Sequence, residues 1–318
     1  MKSYDGRETA PASAKPDRFL KPDGTPRGFM EAVFGGDSVG SPGLPRMLAL
    51  AHKRHGKLPW SRLFEPALRL ATDGFAVSPR LNKLLAEIGA GNFDPTARAH
   101  YFDAAGKPHP VGHILKSPDF AATLKSLATE GADVFYRGPI ADSIVKALGD
   151  SPTHKGDLTL ADLAAYQAKE RPALCTTYRR YKICSMGPPS SGGLTIAQTL
   201  ALLEPFDLGT APMNPNALHL IAEAEKLAYA DRDQFIGDPD QVTVPAGLMD
   251  PGYLRERRKW IDTITAKPKA EPGTPTGLIG KRAHDSTTES NGTSHISIID
   301  AAGMYAIAPR SDGWSESA

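Results

Sequence analysis

Helical periodicity cut short by glycine and proline governs most of this chain. From Pro45 to Gly74, apolar residues recur at spacings of three and four in "PRMLALAHKRHG" and "WSRLFEPALRLATDG". Each run ends at Gly, and the Leu58-Pro59 joint between them implies two short helices. The pattern returns in "SPDFAATLKSLATEG", which opens on a Ser-Pro cap signal, and in "GPIADSIVKALGD". In "TLADLAAYQA", Thr159 is placed to cap a helix, with Asp162 at the reciprocal position of a capping box. "LTIAQTLALLE" and a long run from about Asn216 to Phe235 are also helical. Strand signals stand out in "ALCTTYRRYKICSMG" and again near the end, in "SHISIID". No internal repeat is visible.

Charge and hydropathy narrow the function classes. Lys plus Arg (37) nearly cancel Asp plus Glu (36), which leaves no global positive field to attract nucleic acid or a membrane surface. Small or neutral partners are expected. With 40% hydrophobic residues the chain reads as soluble and globular, and no apolar run reaches the ~20 residues of a membrane span. "MKSYDGRETA" has no apolar h-region of a signal peptide. The cysteines, Cys175 and Cys184, sit in the two strands of "ALCTTYRRYKICSMG". If Arg179 and Arg180 form a two-residue turn, the two face each other in an open pair with Cα atoms ~4.5 Å apart, within disulfide range. Arg-Arg is a poor turn of that kind, because both positions favour φ > 0. A disulfide and two buried free thiols both stay open.

Several short motifs have a plain structural reading beside a functional one. "GPPSSGGLTIAQTL" puts Ser190, Ser191 and two glycines between a strand and a helix, an arrangement that suits an anion or simply a helix cap. It lacks the Walker spacing and a G-x-S-x-G elbow. Arg7 in "DGRETAP" has the fork to clamp a carboxylate, although most loop arginines are merely solvated. His109 and His113 have a metal-like spacing only if helical, and Pro110 argues for a loop. Asn291-Gly292-Thr293 matches a glycosylation sequon, a match that is common by chance.

The Gly292-Thr293 step gathers more. A threonine hydroxyl is a weak nucleophile unless a base lies beside it, and its own α-amine serves once the chain is cut before it. Upstream, "AKPKAEPGTPTGLIGKRAHDSTTESNG" has no apolar period, so residues 266–292 read as an exposed flexible segment. Gly292 lets the peptide before Thr293 take a strained conformation. Downstream, alternation puts His295, Ser297 and Ile299 on the face of Thr293. If "DAAG" is a four-residue loop, Ile299 faces Met304 and Thr293 faces Arg310, which brings Ser311 close to the Gly292-Thr293 bond for proton transfer. An unprocessed edge hairpin is the alternative.

In order along the chain, "DGRETAP", "SVGSPGLPRMLALAHKRHGKLPWSRLFEPALRLATDGFAVS", "GDLTLADLAAY", "MGPPSSGG", "HLIAEAEKLAYADRDQFIGDP" and "NGTSHISIID" resemble the gamma-glutamyltransferase family of N-terminal-nucleophile hydrolases, over nearly the whole chain. The resemblance implies an α/β (α+β) fold, a four-layer αββα sandwich of which this chain holds an incomplete part. It implies a proenzyme that cleaves itself at Gly292-Thr293 and whose Thr293 attacks the γ-glutamyl amide of glutathione and related compounds. Arg7 matches the arginine that holds the glutamyl α-carboxylate, and Ser311 falls where relatives carry Thr or Ser beside the nucleophile. Residues 1–292 then correspond to a large-subunit portion without its N-terminal region, and 293–318 to the start of a small subunit from the same precursor. An amino acid, a dipeptide or water is the implied acceptor, no metal or organic cofactor is implied, and relatives are typically exported to the periplasm or cell surface.

Departures from the family pattern point elsewhere. Met304 and Gly313 stand where many members have Asn, and "SDGW" resembles the subgroup that includes cephalosporin acylases, so a cephalosporin or glutaryl amide acylase is the alternative enzyme. The family's Gly-Gly oxyanion hole has no counterpart in these residues. This chain is therefore expected to be inactive by itself. Its internal-looking start at "MKSYDGRETAP" and abrupt end at Ala318 also fit a non-catalytic fragment.

Overall fold

Proline and glycine set the helix limits along Tyr4–Lys169, the first of two units into which the chain divides; the second comprises Met1–Ser3 and Glu170–Ala318. The computed structural model describes residues 1–211, 213–279, 293–301 and 305–311. The first unit holds α1 (Phe29–Val33), α2 (Leu44–His55), α3 (Glu65–Asp73), α4 (Pro79–Ile88), α5 (Pro95–Tyr101), α6 (Pro118–Glu130), α7 (Pro139–Gly149) and α8 (Leu160–Ala165). The second holds α9 (Gly192–Leu203), α10 (Pro215–Phe235) and α11 (Pro251–Arg258). The strands are β1 (Lys2–Asp5), β2 (Phe75–Ala76), β3 (Ile114–Leu115), β4 (Lys169–Tyr178), β5 (Tyr181–Met186), β6 (Thr293–Ile299) and β7 (Tyr305–Ser311). The class is mixed helix and strand.

The two helices expected between Pro45 and Gly74 are present as α2 and α3, with one difference. Residues Trp60–Phe64 form a 3-10 turn before α3 begins. Pro66 has no N-H to give the carbonyl of Arg62, so α-type bonding starts only beyond that turn. Helix α8 opens as expected: the Thr159 hydroxyl accepts from the Asp162 N-H (3.2 Å), and the Thr159 N-H donates to Asp162 Oδ2 (2.9 Å). It ends earlier than its apolar pattern, because Tyr166 turns out with ψ 136. Ala141, Leu158 and Leu163 form a buried cluster between α7 and α8, with Ile144, Val145 and Leu148 packed on it.

In the second unit β4 and β5 form an antiparallel hairpin within a sheet of order β1-β4-β5. Cys175 faces Cys184 in this register, and the two are joined in a disulfide with Cα atoms 4.1 Å apart. The connecting turn is Arg179-Arg180, and Arg179 takes the left-handed conformation at φ 56. Hydrogen bonds hold it there: its backbone N-H donates to the Glu204 carboxylate, and its guanidinium donates to the carbonyls of Glu204 and Phe206 just past α9. This satisfies carbonyls at a helix C-terminus and offsets a backbone cost on the order of 1–3 kcal/mol. Leu202, Leu203, Leu220, Ala224, Leu227, Leu254 and Ile261 pack α9, α10 and α11 into one core.

Inside that core lies Asp231, which is 2% exposed. Its Oδ2 accepts from Tyr253 Oη (2.6 Å) and Gln198 Nε2 (3.2 Å); its Oδ1 accepts from the Gly273 N-H (2.9 Å) and pairs with Arg257 (3.0 Å). Burial, and then the Asp231 carboxylate, push the Tyr253 hydroxyl well above its ordinary range, so it stays a donor. Residues 266–279 form no helix or strand, in keeping with their composition, yet they are fastened to this core. The Lys267 N-H donates to Glu223, Glu271 O accepts from Arg257, and Gly273 is bound as above.

Two outcomes follow. Asp231→Ala leaves Arg257 buried without its counter-charge, and should lower the unfolding free energy by about 3–5 kcal/mol in urea titration; a loss under about 1 kcal/mol, the range of a surface pair, would contradict the account. Alkylation under native, non-reducing conditions should modify neither Cys175 nor Cys184 and should modify both after reduction; labelling without reductant would rule the bond out.

Candidate active site

Thr293 is the first residue of β6, and β7 returns beside it in antiparallel register. The register corrects the expectation of a four-residue loop. Ile299 pairs with Tyr305, not Met304, and Thr293 pairs with Ser311, not Arg310. The connection runs over 300–304, one residue longer than "DAAG", so β7 is displaced by one position and its two faces are exchanged. The outcome places Ser311 directly opposite Thr293, at the ~4.5–5.5 Å Cα separation of facing residues. Gly292, Met304 and Gly313 lie outside the described residues. Among the described residues β6 and β7 pair only with each other, and Ile296, Ile298 and Ile299 are exposed (58%, 60% and 74%).

Arg7 belongs to the other unit, on a loop without helix or strand that runs from β1 towards Ala12. Its backbone is bound at several points. The Arg7 N-H donates to Oδ1 of Asp5, which is 7% exposed. The Arg7 carbonyl accepts from the Tyr166 hydroxyl (2.8 Å). Thr9 and Ser41 exchange backbone hydrogen bonds (3.3 and 2.8 Å), and the Ala12 N-H donates to Asp162 Oδ1 (2.9 Å). A Cβ on Gly43 would overlap both the Tyr166 hydroxyl and the Gly6 carbonyl, so this residue must be glycine for the tyrosine to reach the loop. The Arg7 guanidinium lies 3.8 Å from Glu8, and its side chain is 27% exposed.

Sequence reasoning singled out Arg7 but read Tyr166 and Asp162 only as parts of a helix motif. The available signal was that a capping-box Asp has a second carboxylate oxygen to share, and that Tyr166 lies where a helix of this length must end.

The other motifs resolve as structure. Ser191 stands at the N-cap of α9 without a capping bond, and its hydroxyl accepts from Arg232 Nε (3.1 Å). His109 and His113 lie outside helices with their rings stacked at 4.1 Å. Among the described residues no three His, Cys, Asp or Glu side chains are grouped as a metal site, and no helix is long and apolar enough to cross a membrane.

Comparison with known proteins gives these features a setting. The family model described as gamma-glutamyltranspeptidase matches residues 1–308. The glutathione hydrolase proenzyme of Escherichia coli (strain K12) is 37% identical over 304 residues, covering 95% of this chain and 50% of that protein. The acylase ACY 1 proenzyme of Pseudomonas sp. (strain SE83) is 37% identical over 276 residues, covering 85% of this chain and 46% of that protein. The chain thus spans about half the length of the curated relatives it matches. Among solved structures, the crystal structure of Helicobacter pylori gamma-glutamyltranspeptidase superposes with a TM-score of 0.80 at 32% identity, covering 87% of this chain and 79% of that one. The chain belongs to the gamma-glutamyltranspeptidase family.

Proposed function

We propose that this chain supplies the nucleophile, Thr293, and the carboxylate-binding residue, Arg7, of an enzyme that transfers γ-glutamyl groups from glutathione and related amides to an amino acid, a dipeptide or water. The observation that carries the reading is the pairing of Thr293 with Ser311 at the head of β6 in a chain of this family. Relatives named glutathione hydrolase proenzymes support it.

In this reading the chain first cuts itself. Thr293 Oγ1 adds to the carbonyl carbon of Gly292, the C-N bond breaks as the nitrogen takes up the hydroxyl proton and becomes a free α-amine, and water hydrolyses the resulting ester to restore the Thr293 hydroxyl and leave Gly292 as a carboxylate. That amine then accepts the hydroxyl proton as Oγ1 attacks the γ-amide of the substrate. The proton passes to the departing amine, with Ser311 as relay, and a γ-glutamyl ester remains on Thr293. Water or an acceptor amine attacks this ester and restores the hydroxyl. Arg7 holds the α-carboxylate through two parallel N-H donors, a geometry that a lysine cannot reproduce.

A second reading, amide acylase with the same nucleophile, is supported by the likeness to the acylase ACY 1 proenzyme. The 318-residue chain by itself is expected to turn over neither substrate class, because among the described residues β6 and β7 pair only with each other, and a two-stranded hairpin is marginal as a scaffold.

The test is made on this chain extended to the length of its relatives. γ-Glutamyl-p-nitroanilide should be hydrolysed, and Thr293→Ala should lower turnover by on the order of 10,000-fold or more. Retention of activity in that variant would remove Thr293 from the chemistry. A higher kcat/KM for glutaryl-p-nitroanilide than for the γ-glutamyl compound would decide for the acylase.

A further inference from the structure

We propose that the motif Thr159–Tyr166 is a clamp on the loop that presents Arg7, and that Tyr166 is a positioning residue for binding of the substrate carboxylate; the inference rests on the reading of Arg7 given above. Tyr166 leaves α8 with φ -54 and ψ 136, and its hydroxyl donates to the Arg7 carbonyl at 2.8 Å. Asp162, near the other end of the same short helix, divides its carboxylate: Oδ2 takes the Thr159 N-H and Oδ1 takes the N-H of Ala12. One helix therefore grips both ends of the segment from Arg7 to Ala12. Its middle is fixed by the exchange between Thr9 and Ser41.

All these bonds act on backbone groups. They set the frame from which the Arg7 side chain projects. Two-point recognition of a carboxylate depends on angle as well as distance, so a loop lacking helix and strand needs such anchors. The Tyr166 ring is itself fixed. It stacks on Tyr136 with centroids 5.8 Å apart and an interplanar angle of 8°, and its carbonyl accepts from Arg46. Burial, followed by Tyr136, Asp5 and Glu8, pushes the Tyr166 hydroxyl far above its ordinary range, which keeps it a donor at neutral pH.

Tyr253 provides the control. Its hydroxyl donates to Asp231 Oδ2 at 2.6 Å in the other unit, a tyrosine bond that does not touch the Arg7 loop or its supports. Steady-state kinetics in the extended enzyme would compare γ-glutamyl-p-nitroanilide with its α-carboxamide analogue, which lacks the charge that Arg7 binds. Tyr166→Phe removes one hydroxyl and should raise KM for the acid about three- to tenfold, the worth of one neutral hydrogen bond. Its kcat should stay within about twofold, and preference for the acid over the carboxamide should fall by the same factor as KM rises. Tyr253→Phe should lower the melting temperature and leave the preference unchanged. Should Tyr166→Phe fail to fold, Asp162→Asn, which weakens the grip at Ala12, should shift the preference in the same direction.

Arg7→Ala separates the two levels. If it abolishes the preference while the clamp variants leave it intact, the positioning role is wrong and the reading of Arg7 stands. If Arg7→Ala leaves the preference intact, both are wrong.

Discussion

A buried carboxylate organises the unit that begins at Glu170. An ionised Asp231 away from water is tolerable only with its acceptor sites filled, and the donors come from separate elements: Gln198 on α9, Tyr253 and Arg257 on α11, and Gly273 on the coil beyond. The apolar core of the three helices supplies area, but area alone allows helices to slide. The carboxylate fixes their rotation and ties down the chain that leads towards Thr293. Residues 266–279 are consequently anchored although their sequence has every mark of a loose linker.

The same logic operates in the unit Tyr4–Lys169, where the bound object is a loop. Arg7 lies on backbone with no helix or strand of its own, and side chains distant in sequence supply what secondary structure would otherwise provide. The holding is done through backbone groups: the Arg7 N-H donates to Asp5, and the Arg7 C=O accepts from Tyr166. Conformational entropy is thereby removed from a loop that has no secondary structure to remove it.

Much of this was legible in the sequence, and the exceptions share a cause. Helix α10 announces itself through Leu220, Ala224 and Leu227 at spacings of four and three, and Asp231 continues that stripe four positions on, which marks it in retrospect as buried. Its neighbour Asp233 falls off the stripe and is 33% exposed in its ion pair with Arg232. The Cys175 to Cys184 register could be counted outward from the Arg-Arg turn, but the unfavourable φ of Arg179 argued against it, and only the distant Glu204 and Phe206 reveal what holds that turn. The hairpin of β6 and β7 was correct in existence and off by one in register, since alternation identifies strands while the loop length decides which residues face. Local pattern reads periodicity and caps well; it does not read partners that are over a hundred positions away, such as Tyr166 to Arg7.

The central claim is that the peptide bond before Thr293 is the processing point that creates the nucleophile. Intact-mass spectrometry of this chain extended to the length of its relatives, followed over time after purification, tests it directly. The account predicts that the precursor mass disappears in favour of two pieces, one of which begins at Thr293, and that Thr293→Ala stays whole. A wild-type protein that remains uncut while hydrolysing γ-glutamyl-p-nitroanilide, or one cut at another bond, would contradict it.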